Sequence, residues 1–148
     1  MTDITLISGS TLGSAEYVCE HLESLLQPAG FSTTLQHGPE LAEVSATGLW
    51  LIVTSTHGAG DLPDNLQPFY DDLAASRPDL SNLSYGAIGI GSSEYDTFCG
   101  AIEKLDQLMQ SLGARRIGDV LKIDITQHDI PEDPAQAWLE SWIELFKV

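Results

Sequence analysis

Three short stretches hold the residues that could do chemistry: "SGSTLGSA" (residues 8–15), "STHGAGDLPDN" (55–65) and "GSSEYDTFC" (91–99). In the first, Gly9 and Gly13 let a backbone come close, and Ser10, Thr11 and Ser14 bring hydroxyls. A helix starting just beyond them would add free N–H groups and a partial positive charge, a donor set suited to a phosphate-type anion. No Lys or Arg precedes Arg77, so cationic side chains close in sequence cannot supply the affinity. Neither GxxxxGK nor GxGxxG is present, so this is not a P-loop or a dinucleotide fingerprint. Taken alone, Gly9-x-x-x-Gly13 fits an ordinary strand-to-helix turn equally well. The second stretch sets His57 ahead of glycines, and the third places Tyr95 and Phe98 beyond the end of an apolar run. Rings on two loops facing one crevice could clamp a flat heterocycle, so the three stretches together suggest a phosphorylated planar cofactor. Ser92-Ser93 does not form a G-x-S-x-G elbow, and His21, His37, His57 and His128 are scattered. No catalytic nucleophile and no metal site is therefore expected.

These stretches need elements to position them, and hydrophobic periodicity supplies a set. Ile4–Ile7, Phe31 to about Gln36, Leu49–Val53, Tyr85–Ile90 and about Val120 to Ile125 read as strands. Ser14–Gln27, Asn65–Ala75, Gly100–Leu112 and about Pro134 to Lys147 read as helices, the first stopped by Pro28 and Gly30. Apolar strands alternating with helices predict a parallel sheet covered on both faces. The expected fold is one domain over residues 1–148. It is an α/β three-layer, doubly wound, five-stranded parallel sheet of order 2-1-3-4-5. The thin strand near Thr34 suits an edge. The three stretches then leave the carboxyl ends of strands, where such sheets bind ligands.

Composition narrows the partners. Six Lys+Arg against 22 Asp+Glu give a formal charge of −16, which disfavours nucleic acid and anionic membranes. No apolar run approaches the roughly 20 residues of a span, and no signal-peptide pattern opens the chain. Cys19 and Cys99 share no motif and read as packing thiols in a reduced, cytoplasmic setting.

In order and spacing, "SGSTLGSAE", "STHGAGDLPDN" and "GIGSSEYDTFC" resemble the three FMN loops of flavodoxins, in particular the short-chain group. The resemblance spans essentially the whole chain and implies an FMN-binding, low-potential one-electron carrier with no catalytic residues of its own. By position, Ser10, Thr11, Leu12, Gly13, Ser14 and Ala15 would bind the FMN phosphate. Leu12 and Ala15 stand where the family often has hydroxyls, which shifts the work towards backbone N–H groups. Thr56, His57, Gly58, Ala59 and Gly60 would meet the ring, with His57 in the place of a stacking Trp or Tyr. Tyr95 would stack on the other face, with the backbone of Gly91, Ser92 and Cys99 along the ring edge and Phe98 as a further cofactor-binding residue. The Gly58 carbonyl would accept a hydrogen bond from the reduced flavin N5–H, and Asp61, Asp64, Glu94 and Asp96 would lower the potential by repulsion. The resemblance further implies a monomer whose acidic rim docks basic redox proteins: a flavodoxin/ferredoxin reductase as donor and a biosynthetic acceptor such as biotin synthase. Two alternatives stay open, an FMN-dependent quinone reductase and a flavin-free α/β regulatory module.

Overall fold

The computed structural model describes residues 3–10, 13–40, 44, 47–56, 61–92, 99–127 and 130–145. Strand β1 (Asp3–Gly9) lies between β2 (Ser32–His37) and β3 (Gly48–Ser55), parallel to both. Beyond β3 comes β4 (Leu83–Gly91), also parallel. The fifth position is shared by two short pieces that both pair with β4. These are β5 (Arg115–Arg116), beside Ser84 and Tyr85, and β6 (Leu121–Asp124), beside residues 88–91. The order is thus 2-1-3-4 followed by a divided last strand, and β2 is at an edge as its weak pattern suggests.

The division is the main departure from the expected single strand near 120–125. At the break the Ile117 N–H stays on the Tyr85 carbonyl (2.8 Å), while the Arg116 guanidinium closes onto the Gly118 carbonyl (3.0 Å). Two indole N–H groups brace the detour, Trp142 on the Ile117 carbonyl (3.0 Å) and Trp138 on that of Asp119 (3.2 Å). Two arginines are too short and too polar a run to show strand periodicity.

Helices α1 (Ser14–Leu26) and α4 (Glu132–Glu144) cover one face of the sheet. On the other face are α2 (Gln67–Ser76) and α3 (Gly100–Ser111). β3 shows why both layers hold. Leu49, Leu51 and Val53 point into the α1/α4 core, and Trp50 and Ile52 into the α2/α3 core. All five are buried, as a run without polar alternation requires. Cys19 belongs to the first core and Cys99 to the second, so the two free thiols are on opposite sides of the sheet.

Candidate functional site

Three neighbouring strand ends bring the three stretches to one edge. The β1–β3 ladder runs to Gly9 beside Thr54, and the β3–β4 ladder to Ser55 beside Ile90. One residue on, the Thr56 N–H still reaches the Ile90 carbonyl at 3.0 Å. The chain thus leaves β1, β3 and β4 side by side, where the strand order turns back at β1. That is the switch point at which open α/β sheets take ligands.

At the first stretch, Gly13 adopts φ 88° and caps α1 in the left-handed conformation, with no side-chain cap. An L side chain there is strained, so glycine is the residue that enters this helix at little cost. The first intrahelical bond at this end is Tyr17 N–H to the Gly13 carbonyl (3.1 Å). The N–H groups of the opening turn have no carbonyl behind them within the helix, and among the described residues the cap makes no side-chain hydrogen bond. Ser14 is half-buried at this turn. Ser10 is 6 % exposed, and its hydroxyl donates to the Glu16 carboxylate. The other Glu16 oxygen accepts from the Asn65 amide at 3.1 Å, joining the first stretch to the second.

Two residues of this stretch also have a packing role. A Cβ on Gly9 would sit 2.5 Å from that of Leu66, so its missing side chain makes room for the core below the loop. Ala15 is fully buried in the α1/α4 core, which leaves its N–H as its polar contribution.

The second and third stretches meet at the start of α3. Thr56 Oγ1 accepts the Ala101 N–H at 3.3 Å, pinning that helix to the end of β3. Cys99 caps α3 at φ 54° and is fully buried. Burial pushes its thiol up to about 12; Glu103 and Asp124 add to the shift and Lys122 opposes it. A thiol held neutral in this way is a packing group at physiological pH. The Gly91 carbonyl, at the end of β4, accepts the Ile125 N–H at 2.9 Å. Ser92 follows, half-buried and hydrogen-bonded or otherwise partnered. Lys104 on α3 reaches Asp61 at 3.3 Å, an exposed ion pair.

Of the expected site residues, Ser10, Gly13, Ser14, Ala15, Thr56, Gly91, Ser92 and Cys99 thus gather at one edge of the sheet. Thr11, Leu12, His57, Gly58, Ala59, Gly60, Tyr95 and Phe98 lie outside the described residues. The sequence pattern assigns no site role to Glu16, Asn65 or Lys104, although Glu16 and Asn65 close the first and second stretches. Glu16 could be noticed only as an acid in the first turn of a helix, where it complements the dipole. Among the described residues no group of three potential metal ligands converges, and no helix is long and apolar enough to cross a membrane. The arrangement is a set of hydroxyls and backbone N–H groups suited to holding an anion.

Comparison with known proteins agrees with this fold. The family model for flavodoxin matches residues 6–138. Protein MioC of Escherichia coli O157:H7 is 63% identical over 147 residues, covering 99% of this chain and 100% of its own. Flavodoxin YqcA of Escherichia coli K12 is 34% identical over 150 residues, with 96% and 97% covered. Among solved structures, a cysteine-to-alanine mutant of a flavodoxin from Pseudomonas aeruginosa superposes with a TM-score of 0.92. It shares 37% identity and covers 99% of this chain and 100% of that one.

Proposed function

The chain belongs to the flavodoxin family, and on that premise we propose that it binds FMN and carries single electrons at low potential between a reductase and a biosynthetic enzyme. The observation that carries the site assignment is the entry to α1. A helix begins at the switch point from Gly13 at φ 88°, with no side-chain cap hydrogen bond among the described residues. The donor set suits a phosphate monoester: opening-turn N–H groups, the Ser10 hydroxyl at the end of β1, and Ser14 on the first turn. Backbone amides at a helix start hold such a group without a lysine.

Bound flavin supplies the one-electron exchange, and the protein supplies its placement and its electrostatics. Ser10, Gly13, Ser14 and the Ala15 N–H would hold the phosphate end. Thr56 ties the end of β3 to the start of α3, and would help position the ring end of the site. Asp61 and Asp64 are exposed at that edge. With Glu94 and Asp96 they would disfavour an anionic reduced flavin and attract basic partner proteins. The proposed donor is a flavodoxin/ferredoxin reductase and the acceptor a biosynthetic enzyme such as biotin synthase. The carrier is proposed to be a single-domain monomer in the cytoplasm.

The test is a titration of the purified chain with FMN, followed by flavin absorbance and fluorescence quenching. Stoichiometric binding is expected, followed by electron transfer from a reductase at a rate that falls with added salt. A chain that leaves the flavin spectrum unchanged would defeat the assignment.

A further inference from the structure

Two different stretches send a hydrogen-bond donor to the same side chain at the start of α1. The Ser10 hydroxyl gives its proton to one oxygen of Glu16, and the Asn65 amide gives one to the other. Ser10 is almost fully buried, whereas Asn65 is exposed. Glu16 stands three residues beyond Gly13, in the turn whose N–H groups lack partners within the helix. A hydroxyl has one hydrogen, so while Ser10 donates to Glu16 it cannot donate to a second oxyanion. The helix dipole that would favour a phosphate here favours the carboxylate for the same reason.

Resting on the FMN reading, the geometry points to Glu16 as a positioning residue that competes with the flavin phosphate for the Ser10 hydroxyl. Glu16 has two opposing effects. Through Asn65 it joins the first stretch to the segment before α2, which favours a formed site. Through Ser10 it withholds a donor and adds a negative charge beside the phosphate position. Both bonds go to the same carboxylate, but the Ser10 bond is sheltered while the Asn65 bond is exposed and replaceable by water, so competition outweighs bracing. Glu16→Gln separates the two effects. A glutamine carbonyl still accepts from Asn65, but the charge that holds the Ser10 hydroxyl is gone.

The experiment titrates the full-length chain and its Glu16→Gln variant with FMN and with riboflavin, which lacks the phosphate. FMN should bind the variant about fivefold more tightly, and riboflavin equally well to both proteins. In a Ser10→Ala background the gain from Glu16→Gln should shrink, because there is no hydroxyl to release. Weaker FMN binding by the variant, an equal change for riboflavin, or an undiminished gain in the Ser10→Ala background would each overturn the competition. Failure of both proteins to bind any flavin would instead overturn the FMN reading, and this inference with it.

Discussion

Helices α1 and α3 start at the same edge of the sheet with the same backbone device. Each is capped by a residue in the left-handed region, Gly13 at φ 88° and Cys99 at φ 54°, with no side-chain cap and an acid in the first turn. They use the exposed N–H groups differently. At α3 the Ala101 N–H is taken by Thr56, Cys99 is sealed in the core, Glu103 is paired with Lys122, and Lys104 with Asp61. That start is closed and its charges are matched. At α1 the cap is a glycine without a Cβ, and the acid Glu16 engages two neutral donors. One helix start is a joint between elements, and the other is the proposed cradle for a phosphate. The backbone angle does not distinguish them; the side chains around the first turn do.

Four measurements would break or sharpen this contrast. The largest effect concerns the sealed core groups. Burial raises the thiols of Cys19 and Cys99 and the phenol of Tyr85, the last helped by its hydrogen bond to Asp106. Because the folded values lie above the unfolded ones, this stabilisation is complete below pH 9 and is lost as the pH rises. Urea unfolding free energy should then fall by about 1 kcal/mol or more per pH unit above 9. Cys99→Ala should flatten that fall, and an unchanged slope would mean that the α3 start admits water.

Next, Gly13→Ala should cost about 1–2 kcal/mol, because it forces a Cβ into the left-handed region. This is visible as a lower thermal midpoint together with weaker FMN binding. Cys99→Gly relieves a similar strain but gives up a buried thiol, so its midpoint should scarcely move. Equal losses at the two caps would remove the distinction. Thr56→Val should cost about 1 kcal/mol and speed hydrogen exchange at the Ala101 amide, with the first turn of α1 unaffected. Smallest of all, Lys104→Ala should change the unfolding free energy by less than about 0.5 kcal/mol, since both partners of that ion pair are largely in water.

Much of this fold was legible because apolar runs and helical spacing are strong, local signals. Leu49–Val53 reads as a two-sided buried strand and is one, and the three ligand stretches follow from where the strands end. What stayed hidden depends on contacts between distant residues. Glu16 and Asn65 are 49 positions apart, and no spacing rule links them. Gly9 reads as a place for a ligand to approach, yet its neighbour is Leu66, which only packing reveals. Ala15 reads as a ligand residue that lacks a hydroxyl, and only packing reveals that its methyl also fills the core. β5 is two arginines long, and only its partner strand makes it a strand.

The divided last strand also bears on how the molecule behaves among copies of itself. An open sheet offers unpaired backbone at both margins, and long flat margins recruit further strands into fibres. On the β5/β6 side the margin is broken into pieces of two and four residues, and it carries exposed Arg115 and Lys122. On the other side β2 runs unbroken for six residues, Ser32–His37, without a charged Asp, Glu, Lys or Arg. Any strand-to-strand aggregation should therefore begin at β2. What guards that margin is the mutual repulsion of molecules with a formal charge of −16, a protection that acid or concentrated salt removes.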